Sequence, residues 1–154
     1  QDNNNYSLAV KIIMNQLQEE IKKMGLKVTP QRVAVLEMLN GNKSHPTAES
    51  IHNKLLDNYP GLSLTTVYNI LAKMVEKKKI QLLNIDPHKK RFDPCMEIHE
   101  HFYCRACGNV YDLTEDVSAI TAGMGTREKR DGHCVETVNL NLQGVCRFCS
   151  TAVP

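Results

Sequence analysis

The chain has 154 residues, 42% apolar and 23% charged, with three Phe, five Tyr and no Trp. That composition excludes a disordered tail, and the length excludes a β/α barrel, which needs about 250 residues. No apolar run approaches the roughly 20 residues that span a bilayer and no apolar signal core opens the chain, so a soluble, cytoplasmic protein is expected. The net charge of +2 divides unevenly: 14 Lys and Arg against 9 acids up to Pro94, then 5 against 8 from Cys95 onward. A basic first module and an acidic second one, the latter holding all six cysteines, are therefore expected. The expected boundaries are 1–94, a hinge over 94–98, and 99–154. Because the sequence opens on Gln1 rather than Met, a few preceding residues are also expected.

In the first module, Val10, Ile13, Leu17, Ile21 and Met24 recur at spacings of three and four, which predicts one face of a helix stopped by Gly25. Thr29 as N-cap and Pro30 at the first helical position open a second helix, with Val33, Leu36 and Leu39 inward. Thr47 caps a third, carrying Ile51 and Leu55 and ending before Pro60. Ser63 caps a fourth, Ser63 to Lys79, with Val67, Ile70, Leu71, Met74 and Val75 inward and the run Lys77 to Lys79 in its last turn. Ile80 to Ile85, a turn over Asp86 to Lys90, and Arg91 to Asp93 read as a hairpin. Helices followed by a hairpin, with short polar residues on the fourth helix, fit a winged helix-turn-helix.

In the second module, His99 to Cys104 and Val110 to Leu113 read as strands around a Cys-Arg-Ala-Cys-Gly turn. Thr114, Glu115 and Asp116 open a predicted helix with Val117, Ile120 and Met124 inward, and Val138, Leu140 and Leu142 alternate in a strand ending at Gly144. The fold class is thus α+β.

Three sets of residues carry chemistry. Cys104-x-x-Cys107 and Cys146-x-x-Cys149 offer four thiolates that can close a tetrahedron around a structural zinc ion, a disulfide framework being the weaker reading without a secretion signal. Cys95 and Cys134 fall outside the pairs and read as plain thiols. The second set is His45, Asp93, His99, His101 and Asp112. The spacing of His99 and His101 puts both imidazoles on one face of a strand, and the mixed nitrogen and oxygen donors suit iron(II), manganese(II) or zinc. A lone histidine such as His45 is also a common loop or capping residue, and His52, His88 and His133 are read that way. The third set is the exposed face of the fourth helix, where Thr65, Thr66, Tyr68, Asn69 and Lys73 suit either phosphates and base edges or an ordinary solvated surface. Lys89 and Lys90 on the hairpin turn would reach phosphate.

The sequence resembles the ferric uptake regulator superfamily of metal-dependent repressors along nearly its whole length. The likeness rests on Leu26-x-x-Thr29-Pro30-Gln31-Arg32, His45-Pro46-Thr47-Ala48, Ser63-x-x-Thr66-Val67-Tyr68, His99-x-His101-Phe102-x-Cys104 and the last cysteine pair. It implies an N-terminal winged helix-turn-helix DNA-binding domain, a C-terminal α/β dimerisation domain, a structural zinc in many members and a regulatory metal between the domains. Arg32 joins the candidate DNA contacts through this motif.

Within the superfamily the sequence is most similar to the peroxide-responsive repressor branch, whose five regulatory ligands match His45, Asp93, His99, His101 and Asp112, with Asp at both carboxylate positions. Thr137-Val138-Asn139 lacks the histidine that many iron-sensing members carry for an additional site. The likeness implies a homodimer on a palindromic operator in double-stranded DNA, held there by Fe2+ or Mn2+. It further implies that peroxide, acting at the iron, oxidises His45 or His99 and so releases the DNA, a sacrificial event rather than enzymatic turnover. The alternatives are an iron, manganese or zinc homeostasis repressor of the same superfamily, a non-haem iron oxygenase on the His and Asp cluster, and a zinc-ribbon interaction module. The oxygenase lacks a substrate motif, and the zinc ribbon leaves the helix-turn-helix unused.

Overall fold

The computed structural model describes residues 2–97, 99–113, 129–135 and 140–150, with side chains from residue 8 onward except at 129 and 130. The chain forms two compact units. One comprises Gln1–Asn84 and His88–Met96, the other Ile85–Pro87 and Glu97–Pro154.

The first unit runs α1 (Asp2–Lys23), α2 (Pro30–Leu39), α3 (Ala48–Leu55), α4 (Leu64–Glu76), β1 (Gln81–Leu83) and β2 (Arg91–Asp93). Of the stripe expected on α1, Leu17 and Ile21 are buried and Met24 packs on the core, whereas Val10 and Ile13 are 43% and 44% exposed. The reason is length. A helix of 22 residues is about 33 Å long, and the 10-residue α2 against which it packs covers less than half of it. Gly25, at φ +70, takes the left-handed position of a Schellman cap, with Leu26 N–H donating to Ile21 O and Gly25 N–H to Lys22 O.

Thr29 caps α2 by accepting from Arg32 N–H, and Val33, Ala34, Val35, Leu36 and Leu39 are all buried there, so α2 is enclosed on more than the one expected face. Thr47 and Ser50 form a reciprocal capping box that starts α3, an arrangement whose loss costs about 1 kcal/mol. Ser63 caps α4, whose Val67, Ile70, Leu71 and Met74 complete the core. The lysine run lies beyond the last helical turn rather than in it. Lys77 is the C-cap, and Lys78, at φ +54, fills the left-handed slot that glycine usually takes while Lys79 N–H bonds Met74 O. The hairpin pairs Gln81 with Asp93, Leu82 with Phe92 and Leu83 with Arg91.

The second unit contains β3 (His101–Cys104), β4 (Val110–Asp112), β5 (Lys129–Arg130), β6 (His133–Cys134), β7 (Asn141–Gly144) and the short helix α5 (Arg147–Ser150). Its three-stranded sheet has the order β4-β3-β7, antiparallel on one side of β3 and parallel on the other. His99 precedes β3 rather than lying in it. β5 and β6 form a separate hairpin across Asp131 and Gly132, both at positive φ. The helix expected from Thr114, with Val117, Ile120 and Met124, and the segment Thr137-Val138-Asn139 lie outside the described residues. Among the described residues no helix is long and apolar enough to cross a membrane.

Candidate metal sites and DNA-binding face

The two cysteine pairs meet because β3 and β7 run parallel. Cys104 ends β3 opposite Gly144, which ends β7, so Cys146 leaves the sheet at the same end as the Cys104 to Cys107 turn. Gly108, at φ +72, closes that turn with its N–H on Cys104 O, and Arg105 N–H bonds Gly144 O across the two chain segments. α5 folds Cys149 back, its N–H on Cys146 O. The four sulfurs lie within 4.8 Å of one another and none of the six cysteines is in a disulfide. Four thiolates so grouped fit zinc, whose structural sites are closed and tetrahedral.

The local fields favour ionisation unequally. Burial raises the Cys104 thiol, but N–H groups of Cys146, Cys107 and Ala106 outweigh it and hold the group at about 6 against an ordinary 9. The Tyr111 hydroxyl, donating at 3.6 Å, lowers Cys146. Hydrogen bonding to Cys146 and Cys107 pushes Cys149 up to about 12, because neighbouring sulfurs claim the negative charge first. A divalent cation therefore has to displace the Cys149 proton on binding.

The histidine and aspartate residues form two groups, one in each unit. In the first unit, His45 and Asp93 are buried, and their ligand atoms come within 4.8 Å. β2 stitches them together: Phe92 N–H donates to Pro46 O at 3.0 Å, Thr47 bridges Arg91, and Arg91 Nη1 donates to His45 O at 3.4 Å. His45 stands at φ +48 immediately before Pro46, a conformation that L-residues disfavour by about 1–2 kcal/mol and that persists at functional positions.

In the second unit, β-register sets His101 opposite Asp112. The His99 and His101 rings are 4.4 Å apart, and Asp112 Oδ1 lies 3.3 Å from His99 Nε2 and 3.9 Å from His101 Nε2. His99 Nδ1 is 2.8 Å from Glu97 O. A carbonyl can only accept, so Nδ1 carries a proton and Nε2 is the nitrogen left to face a metal, as in a ligating imidazole oriented by its other nitrogen. Imidazole and carboxylate donors of this mixture fit iron(II), manganese(II) or zinc.

On α4, Thr65, Thr66, Asn69 and Lys73 are exposed. Thr66 Oγ1 shares a hydrogen bond with Ser63 Oγ, and Lys73 makes an exposed ion pair with Glu76, a contact weak enough to yield to a phosphate. Tyr68 is half-buried and donates its hydroxyl to Glu49 on α3. That bond holds the Glu49 carboxyl below the usual range, with the Lys89 charge adding to it. Lys89 and Lys90 are exposed on the hairpin turn, and Arg32 spends one guanidinium donor on Lys27 O.

Sequence reasoning missed Gln81, Glu49, Glu97 and Tyr111, each of which orients a candidate ligand or contact. It also missed the β5–β6 hairpin, for which Asp131-Gly132 was an available turn signal.

The profile of the ferric uptake regulator family matches residues 23–143. The peroxide operon regulator of Bacillus subtilis is 33% identical over 136 residues, covering 86% of this chain and 90% of that protein. The peroxide-responsive repressor PerR of Staphylococcus aureus is 32% identical over 150 residues, covering 93% and 97%. The structure of the Helicobacter pylori ferric uptake regulator Fur superposes with a TM-score of 0.70 at 23% identity, over 91% of this chain and 93% of that one, which establishes a shared fold. With its winged helix, its four-cysteine cluster and a profile match over most of its length, the chain belongs to the ferric uptake regulator family of metal-dependent, DNA-binding transcriptional repressors.

Proposed function

We propose that this repressor senses hydrogen peroxide through one regulatory iron held jointly by His45, Asp93, His99, His101 and Asp112, with a structural zinc on Cys104, Cys107, Cys146 and Cys149. The observation that carries the reading is that each unit gathers fewer than the roughly four protein ligands that a closed site uses. The pair His45 and Asp93 stands in one and the trio His99, His101 and Asp112 in the other. Five such donors, two of them carboxylates, would neutralise a divalent ion. The Asp at both carboxylate positions and the peroxide-related names of the curated relatives support this branch.

In this reading, metal binding raises DNA affinity by favouring the lobe arrangement in which α4 of each subunit of the homodimer enters successive major grooves of a palindromic operator. Thr65, Thr66, Tyr68 and Asn69 read or position on the groove, while Arg32, Lys73, Lys89 and Lys90 contact the phosphates. The protein acts in the cytoplasm, where its operator lies.

Iron(II) held by these residues would supply the cleavage of the peroxide O–O bond. The net change inserts one peroxide oxygen into a C–H bond of the His45 or His99 ring and leaves the other as water. Either oxidised ring is a poorer donor, so the ligand set opens and the DNA is released. The change consumes the protein rather than turning over a substrate.

Peptide mass analysis of iron-loaded protein after peroxide tests this. The expected result is one added oxygen on the peptide holding His45 or His99, loss of operator binding, and neither effect with manganese. Unmodified peptides with unchanged DNA affinity would favour a metal-homeostasis repressor instead.

A further inference from the structure

Gln81 opens β1 and stands across the hairpin from Asp93. Its side-chain nitrogen lies 3.0 Å from Asp93 Oδ2 and 2.6 Å from the Cys95 carbonyl oxygen. Both partners are acceptors, so the end of the amide that faces them must be the NH2 group, with both of its hydrogens engaged. The second carboxylate oxygen, Asp93 Oδ1, accepts the Cys95 N–H at 2.8 Å. Asp93 is thus gripped at each oxygen by a neutral donor, and Cys95 is gripped at both its N–H and its carbonyl.

We infer that Gln81 is the positioning residue of the Asp93 ligand: its amide fixes the carboxylate plane and, through Cys95, the path of the chain leaving β2. Asp93 is 3% exposed, so little water is present to do the orienting. A neutral donor is suited to the task because it aims the carboxylate without setting a positive charge beside a divalent ion. A carboxylate fixed before the metal arrives loses less rotamer freedom on binding. A carboxylate oxygen that accepts an N–H can still offer a lone pair to a metal.

This inference rests on the ligand role proposed for Asp93, and a double-substitution cycle separates the two. The apparent Kd for manganese(II) is measured on the zinc-containing full chain, unsubstituted and as Gln81→Met, Asp93→Ala and the double variant. Gln81→Met keeps the side-chain length without the donors. It is expected to weaken manganese binding about 10–100-fold, the range seen for groups that orient a ligand, with zinc content and thermal midpoint unchanged. In the Asp93→Ala background it is expected to change the Kd less than twofold.

A Gln81→Met protein that binds manganese like the unsubstituted one, while Asp93→Ala binds it poorly, overturns the inference alone. A loss that persists in the Asp93→Ala background also overturns it, since the effect would not pass through Asp93. If Asp93→Ala itself binds normally, the five-ligand reading falls and takes the inference with it. Should Gln81→Met fail to fold, Gln81→Asn, with its amide withdrawn by one methylene, takes its place in the cycle with the same expected loss.

Discussion

Replacing Cys149 with Ser, or stripping zinc with a strong chelator, is expected to unfold the second unit and dissociate the dimer while α1 to α4 stay folded. The first unit has its own core, in which seventeen buried residues from Leu17 to Phe92 form one cluster. Among the described residues of the second unit, the buried apolar side chains are Ile85, Tyr103 and Val110 with Cys104 and Cys146 of the four-sulfur cluster. A structural zinc contributes about 10–16 kcal/mol in small metal-dependent folds, as much as the whole net stability of an ordinary domain, about 5–15 kcal/mol.

The effect also depends on pH. Without metal the Cys149 thiol sits at about 12, so below that value zinc displaces its proton, and affinity falls about tenfold for each unit of acidification per proton displaced. Cys104, at about 6, contributes a proton of its own only below that pH. Size-exclusion chromatography should show monomer, and circular dichroism should retain the helical signal of the first unit. A Cys149→Ser protein that remains a dimer with unchanged melting would contradict the structural role of the cluster.

His45→Asn is expected to abolish the metal-dependent gain in operator affinity, a gain of about 5–150-fold for coupling of the usual size, while leaving zinc content and dimerisation intact. Asn is the informative replacement because His45 occupies φ +48, where Asn is tolerated and most other residues add strain. The loop therefore keeps its course into the Thr47 cap of α3. Losing a ligand imidazole should weaken manganese(II) binding by more than the 10–100-fold that removal of an orienting group costs. Operator titrations with and without manganese check this. A His45→Asn protein that still gains affinity on adding manganese would remove His45 from the regulatory set.

Much of this architecture is legible in the sequence because its signals are local. Thr29-Pro30, Thr47 with Ser50, and Ser63 each cap the expected helix, since a side-chain oxygen three residues ahead of an amide suffices to satisfy it. Gly25 stops α1 for an equally local reason. The lysine run misleads because three cations look like a helix C-terminus, while the left-handed slot at Lys78 carries no glycine to mark it.

What the sequence does not reveal is long-range. The parallel pairing of β3 with β7 brings the cysteine pairs to one end, and the pattern Cys-x-x-Cys predicts the metal without predicting that pairing. A glutamine in a strand, such as Gln81, has no signature until the register with Asp93 is known. The exposure of Val10 and Ile13 likewise follows from how far α2 reaches, which periodicity cannot encode.

The proposed function requires one divalent ion to take ligands from both units and so to bias the angle between them. Small-angle X-ray scattering of the zinc-containing dimer, recorded with and without manganese(II), tests it most directly. A change in the scattering profile and radius of gyration is expected on adding manganese, absent from His45→Asn. Identical profiles for the loaded and unloaded unsubstituted protein, at manganese concentrations shown to saturate the site, would contradict it.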